Sequence, residues 1–223
     1  MPDDEKNLPS PLLQCLEAVY RLASREGSVP LDAVSRKLDL ATAVVGQQAS
    51  ALQSAGFLET RSGGHVRLTE EGTRIALGLV RKHRLLERFL MVELELPWEE
   101  VHELACRLTP LLSHRVADRL AKLLGDPTTC PHGNPIPSAD GVLCCDSAIP
   151  LDRFKPGMAG TIVRIEPEEG ELLRYLAVLG LIPQARLEVA EVAPFGGPVL
   201  IRLGGAEYAL GRDVASKIFV RET

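Results

Sequence analysis

The spacing of apolar residues changes from mainly helical to alternating at Pro150, and that change requires two kinds of fold. Up to Gly125 the apolar residues recur mostly at helical spacing, broken by one short hairpin, whereas beyond Pro150 they alternate in short runs bounded by Gly and Pro. In the helical part, PLLQCLEAVYRLASREG sets Leu12, Leu13, Leu16, Val19, Tyr20 and Leu22 at helical positions, with Gly27 as the stop. VPLDAVSRKLDL and ATAVVGQQASALQSAG are two further helical patterns joined by the short connection Asp39-Leu40-Ala41, the second ended by Gly56. FLETRSGGHVRLT then reads as two alternating runs around Ser62-Gly63-Gly64, the chemistry of a hairpin turn. Three helices and a hairpin in this order predict a winged helix-turn-helix over residues 1–76.

A long helix is expected from Glu70 to about Val92, followed by one behind Pro97 and one in SHRVADRLAKLLG, where Ser113 is the expected N-cap and Gly125 the stop. A helix longer than its own small domain needs leads to a dimer interface. Leu85, Leu86, Phe89, Leu90, Val101, Leu104 and Leu108 offer the apolar surface for one, so 77–150 reads as a helical dimerisation domain. Its end, DPTTCPHGNPIPSADGVLCCDSAIP, reads as loop and linker. Residues 151–223 carry five short strands, in GMAGTIVRIEP, ARLEVAEVAP, PVLIRLG, AEYALG and KIFVRE, and a helical stretch at GELLRYLAVLG, the makings of a small barrel. The expected class is therefore mainly α with a small β domain.

With 45% hydrophobic and 25% charged residues in 223, the chain has the material for real cores, which excludes a disordered or disulfide-framed chain. No stretch has the unbroken apolar length of a membrane span, and MPDDEKNLPS lacks the basic start and apolar run of a secretory signal. A cytoplasmic protein without a membrane partner is expected. There, Cys15, Cys106, Cys130, Cys144 and Cys145 are read as free thiols or metal ligands. The net charge is −5 and no third of the chain is basic, so charge alone marks no nucleic-acid module.

Two residue pairs carry recognisable chemistry. His83 and Glu87 are four apart on one expected helix, and His102 and Cys106 four apart on the next, so each pair projects from one face. Imidazole, carboxylate and thiolate together suit Fe(II), Mn(II), Co(II) or Zn(II). Taken singly, His83 and Glu87 read as a solvated face and Cys106 as a small buried hydrophobe. Cys130 and His132 are a Cys-x-His candidate lacking partners in sequence, and Cys144-Cys145 an incidental vicinal pair. No H-E-x-x-H, phosphate loop or G-x-S-x-G is present, so a catalytic reading lacks its motif and no small-molecule substrate is expected. The third helix would be the recognition helix, presenting Thr42, Gln47, Gln48 and Ser50 to base edges. It has no Lys or Arg between Asp39 and Gly56, which leaves phosphate contacts to Arg36, Lys37, Arg61 and Arg67.

Through RKHRLLERFL, VHELACR and PHGNPIP, in one gapless register from Tyr20 to Pro137, the chain resembles the diphtheria toxin repressor family. KPGMAGTIVRI, LAVLGLIPQ and APFGGPVLIRLGG resemble the SH3-like, FeoA-type domain that many members carry at the carboxyl end. The resemblance implies a homodimer whose winged domains bind a palindromic operator in double-stranded DNA once Fe(II) or Mn(II) is bound, with Co(II), Ni(II) or Zn(II) as substitutes in vitro. It makes His83, Glu87 and His102 ligands of the family's ancillary site, with Glu169 near a further ligand. It makes Cys106 a ligand of the primary, activating site. There the match breaks: Thr109 and Pro110 stand where a glutamate and a histidine should follow, and Gln14 where relatives have Met or Asp. Cys130 occupies a position that supplies a thiolate in some manganese-type relatives, so the resemblance leaves a site of Cys106 and Cys130 with Gln14 or Cys15 as a substitute. The expected function is repression of metal-homeostasis genes. The competing one is a metal-binding dimer that has lost DNA binding and acts through protein contacts of its SH3-like domain.

Overall fold

A computed structural model describes residues 8–23, 27–144 and 147–223. They form two compact units, one of Met1–His83, Leu108–Asp118 and Pro137–Val142, the other of Arg84–Arg107, Arg119–Ile136 and Leu143–Thr223. No helix among the described residues is long and apolar enough to cross a membrane.

The first unit begins with helix α1 (Ser10–Leu22), strand β1 (Val29–Pro30) and helices α2 (Leu31–Leu38) and α3 (Thr42–Ser54). Strands β2 (Leu58–Arg61) and β3 (His65–Leu68) follow as an antiparallel hairpin. Its turn needs two left-handed residues, and Gly63 and Gly64 take φ 74° and 72°. The two residues of β1 were expected to be helical. They pair instead with β3, Val29 opposite Val66, giving the sheet order β1-β3-β2, because a proline preceding a helix favours extended backbone at its own position and before it. Leu13, Leu16 and Val19 of α1, Val34 of α2, Val45 and Leu52 of α3 and Leu58 and Val66 of the hairpin close one core. Helix α4 (Glu70–Val92) adds Ile75 and Leu79 to it and continues into the second unit.

The second unit contains the end of α4, most of α5 (Val101–Leu108), the end of α6 (His114–Leu123) and all that follows. Ser113 Oγ accepts the backbone N–H of Val116 at 3.3 Å, the expected cap of α6, and Gly125 with φ 73° ends that helix. Strands β4 (Ile149–Pro150), β5 (Ala159–Ile165), β6 (Arg186–Val192), β7 (Val199–Leu203), β8 (Ala206–Leu210) and β9 (Ile218–Glu222) form one antiparallel sheet in the order β4-β9-β5-β6-β7-β8. Five of them are the strands expected from the alternating runs, and β4 is a two-residue addition on β9. Helix α7 (Gly170–Val178) occupies the predicted helical stretch and buries Leu172, Leu173 and Leu176 against Ile162, Ile165, Val189 and Ile201. A short helix α8 (Arg212–Ala215) precedes β9.

The segment read as loop and linker is different over 128–136. Thr129 bridges Pro135, the N–H of Cys130 donates to the carbonyl of Asn134 at 2.9 Å, and that of Ile136 to Thr128 at 2.8 Å. Cys130, His132 and Asn134 are buried. Pro and Gly here shape a tight, packed turn rather than a tether. Gly133 has φ 85°, and a Cβ on it would lie 1.8 Å from the carbonyl oxygen of Val163 in β5. The N–H of Ile165 in turn donates to the carbonyl of His132 at 3.0 Å, so turn and strand hold each other.

Candidate metal centre

Four side chains of the second unit converge in its interior: Glu87 on α4, Cys130 and His132 in the 128–136 turn, and Glu168 between β5 and α7. All four are buried, and one ligand atom from each lies within 4.8 Å of the others. His132 Nδ1 is 3.6 Å from Glu87 Oε1 and 3.8 Å from Glu168 Oε1. Cys130 Sγ is 3.9 Å from His132 Nδ1 and 3.9 Å from Glu168 Oε1. A tetrahedral site with metal–ligand distances of about 2.0–2.3 Å has ligand–ligand edges of about 3.3–3.8 Å, so these separations fit a divalent transition metal with little movement.

Neighbouring groups fix the donors. His132 Nε2 hydrogen-bonds the carbonyl oxygen of Trp98 at 2.7 Å, which holds the proton on Nε2 and turns the Nδ1 lone pair toward the two carboxylates. Asn134 Nδ2 donates to Glu168 Oε1 at 2.6 Å, orienting that carboxylate. His102 on α5 sits beside the cluster, with Nδ1 2.8 Å from Glu87 Oε1 and 3.1 Å from Glu168 Oε2. Two buried carboxylates side by side need positive charge. Burial lowers the basicity of His102, but its hydrogen bonds to Cys106, Glu168 and Glu87 outweigh this and raise its pKa to about 11. For His132, burial acts downward and the Glu87 and Glu168 charges lift it above its ordinary value. Burial and then the same two carboxylates push the Cys130 thiol well above the ordinary range. Without metal the cluster therefore holds protons where a divalent cation would supply charge, which is the expected chemistry of a cation site.

The residues singled out in the sequence are distributed between the two units. Glu87 and His102 meet in the second. His83, one turn before Glu87 on α4, is fully buried in the first, where Thr109 Oγ1 lies 3.4 Å from its Nδ1 and Glu17 Oε1 3.9 Å away. Glu169 was the carboxylate expected from the β domain. It is instead exposed and paired with Lys217 at 3.6 Å, and its neighbour Glu168 points into the cluster. Gln14 is exposed on α1, and the α1 carboxylate near His83 is Glu17, one turn further on. Cys106 is exposed, with Sγ 3.6 Å from His102 Nε2, whereas Cys130 lies inside the tetrad, and Cys15 is buried in the first unit's core with its pKa raised to about 11 by that burial. Among the described residues no cluster of ligand atoms joins Cys106 to Cys130. His132 was anticipated only as half of a Cys-x-His candidate without partners, and Glu168 was not anticipated at all. The Cys-x-His spacing in CPHGNPIP was the available signal for the first, and nothing in PEEGELL distinguishes 168 from 169.

Of the residues expected from the sequence to meet DNA, Thr42 opens α3 and is exposed, as are Gln47, Ser50, Arg36, Lys37, Arg61 and Arg67. Ser50 Oγ donates back to the Gly46 carbonyl at 2.9 Å, Arg36 pairs with Asp32 at 3.3 Å and Arg61 with Glu59 at 2.7 Å. Gln48 is half-buried with Oε1 out of solvent, so it does not share the exposed strip of Gln47.

Residues 69–138 match the iron dependent repressor family's metal binding and dimerisation domain, and residues 149–222 match the FeoA domain. The iron-dependent repressor IdeR of Mycobacterium tuberculosis is 35% identical over 221 residues, 93% of this chain and 95% of that protein. The chain belongs to the diphtheria toxin repressor family of metal-dependent transcriptional repressors. Within that family, the diphtheria toxin repressor of Corynebacterium diphtheriae is 36% identical over 141 residues, 62% of each chain. Among solved structures, a manganese-dependent transcriptional repressor in complex with manganese has a TM-score of 0.87 at 31% identity and covers 96% of this chain and 99% of its own. The repressor ScaR with bound Cd2+ has a TM-score of 0.83 at 26% identity, covering 95% and 99%.

Proposed function

We propose that this family member is a cytoplasmic, homodimeric repressor of metal-homeostasis genes, activated by Fe(II) or Mn(II) held by Glu87, Cys130, His132 and Glu168. The buried tetrad carries this reading: two carboxylates, an imidazole and a thiol enclosed together are hard to justify except as cation ligands. The mixed hard and soft donors suit Fe(II) or Mn(II), with Co(II), Ni(II) and Zn(II) as in vitro substitutes. His83, Glu87 and His102 remain the ligand set implied by the family pattern, with Glu87 common to both sets.

When bound, the metal supplies the positive charge that the carboxylates otherwise draw from protonated imidazoles. The chain's own groups do the rest: the Trp98 carbonyl holds His132 in its donor tautomer, Asn134 holds Glu168, and the ligands come from α4, the 128–136 turn and the segment before α7. Drawing them together fixes α4 against the other two within the second unit. Because α4 begins in the first unit, its position is the available route from ligand binding to DNA binding.

The domains fitting this function are a winged helix-turn-helix over 1–76, a helical metal-binding and dimerisation domain over 77–150 and an SH3-like domain over 151–223. Helix α3 would enter the major groove with Thr42 and Gln47 toward base edges, and Arg36, Lys37, Arg61 and Arg67 would meet phosphates. A dimer presents two such helices and so reads a palindrome. Mobility shift with genomic fragments, with and without Fe(II) or Mn(II), tests the function. A metal-dependent shift is expected, and absence of any shift in both conditions would favour a dimer acting only through protein contacts.

A further inference from the structure

The stretch RKHRLLERFL supplies Glu87 to the metal cluster, and it also places two arginines, Arg84 and Arg88, around that carboxylate on α4. Four residues apart, they share one face of the helix. Arg84 Nη1 donates to the carbonyl of Pro135, and Arg88 Nη1 to that of Thr129 at 3.3 Å. Thr129 and Pro135 are themselves bridged to each other across the 128–136 turn. The two arginines thus grip opposite arms of one turn, at the rung that closes off residues 130–134, Cys130 and His132 among them.

Apolar packing does not account for Arg84. It is 7% exposed and its Nε makes no hydrogen bond among the described residues, so its burial carries a desolvation cost that a hydrocarbon side chain of similar length would avoid. What the guanidinium adds is a charge-assisted hydrogen bond to a backbone carbonyl, stronger than a neutral one. Its charge also acts downward on the Cys130 thiol, against burial and the two carboxylates. Glu87 enters the cluster from the helix, whereas Cys130 and His132 enter from the turn, so the ligand separations depend on how the turn is seated on α4. A turn free to leave the helix would hold these ligands together for only a fraction of the time, and metal affinity falls by that fraction.

We propose that Arg84 and Arg88 are positioning residues of the metal site, fastening both arms of the 128–136 turn to α4 so that Cys130 and His132 meet Glu87 around one ion. This role presupposes the tetrad as the metal site, and it requires the turn to be seated before metal arrives.

Amide exchange and Co(II) binding of the full-length chain test it together. In metal-free protein, Arg84→Met should speed exchange of the Cys130 and Ile136 amides, whose hydrogen bonds close the turn, by about tenfold or more, while Val189 in β6 keeps its rate. The same variant should weaken Co(II) affinity, read by calorimetry, by about tenfold or more. Arg84→Lys, which keeps a cation and a donor, should recover most of both losses, whereas Met keeps only the apolar bulk. Packing alone would give the opposite order, with Met close to the parent and Lys worse, and that result would overturn the proposal. Faster exchange with unchanged Co(II) affinity would overturn it too, since the arginines would then hold the turn and not the site. A parent whose Co(II) spectrum shows no Cys130-dependent thiolate band would instead remove the tetrad itself, and the positioning role with it. Should Arg84→Met not fold, Arg88→Met at its half-buried position decides, with a loss of about threefold expected and an unchanged affinity contradicting the role.

Discussion

Asn134 and Trp98 touch no metal in the proposed site, yet they decide which atoms of Glu168 and His132 face it. Asn134→Ala leaves Glu168 to rotate and is expected to lower Mn(II) affinity about 10–100-fold, read by calorimetry. Glu168→Ala should cost at least as much, while Glu169→Ala, which removes only an exposed ion pair with Lys217, should leave affinity unchanged. The protons make a further prediction. His102, raised from 6.5 to about 11, contributes stability that is full below about pH 6.5 and lost as pH rises through 11. At pH 7 it therefore carries its proton between Glu87 and Glu168, and the Cys130 thiol is protonated as well. Metal must displace at least one proton, so affinity should climb from pH 6 to 8, and calorimetry in buffers of different ionisation enthalpy should detect the release. No release at pH 7 would contradict this. At this scale the sequence spoke unevenly. Glu87 and His102 were legible because helical spacing sets their phase, whereas Glu168 and His132 sit in turns, where no period says which neighbour points inward.

Among the elements, the 128–136 turn contributes most to the site and was least legible. Its Pro, Gly and small polar residues carry the composition of a linker, and only packing against β5 gives it a fixed shape. Gly133→Ala should therefore destabilise the chain by more than about 2 kcal/mol in urea unfolding, since its Cβ would need the space of the Val163 carbonyl, and should weaken metal binding with it. The α4 helix, by contrast, was readable almost to the residue, because 23 residues of sustained 3.6 periodicity admit no other structure. Strand β1 escaped notice because two residues are too few to show alternation. On α3, the absence of Lys and Arg places readout on Gln47. Gln47→Ala is expected to reduce discrimination between operator and non-specific DNA by about 1–3 kcal/mol, measured by competition binding, with little change in the salt slope.

At the scale of the whole molecule, only part of the apolar surface offered for a dimer is covered by the chain itself. Leu85, Leu86, Leu90 and Val101 are buried within the chain, whereas Leu108 is exposed, as are Leu111 at 83%, Val116 and Val142 in the first unit and Val92, Leu94 and Leu123 at 61% in the second. Periodicity gives a helix its apolar face but does not say whether that face meets its own chain or a partner. If the exposed leucines form the interface, Leu111→Glu with Leu123→Glu should yield a monomer by light scattering at concentrations where the parent is a dimer, with loss of operator binding. In the proposed site the metal binds through Cys130 in the buried tetrad rather than through exposed Cys106. Co(II) absorption measures this most directly, because a thiolate ligand gives an intense charge-transfer band that nitrogen and oxygen ligands do not. The band is predicted in the parent and in Cys106→Ser and is predicted to vanish in Cys130→Ser. A band that persists in Cys130→Ser and disappears in Cys106→Ser would contradict the assignment.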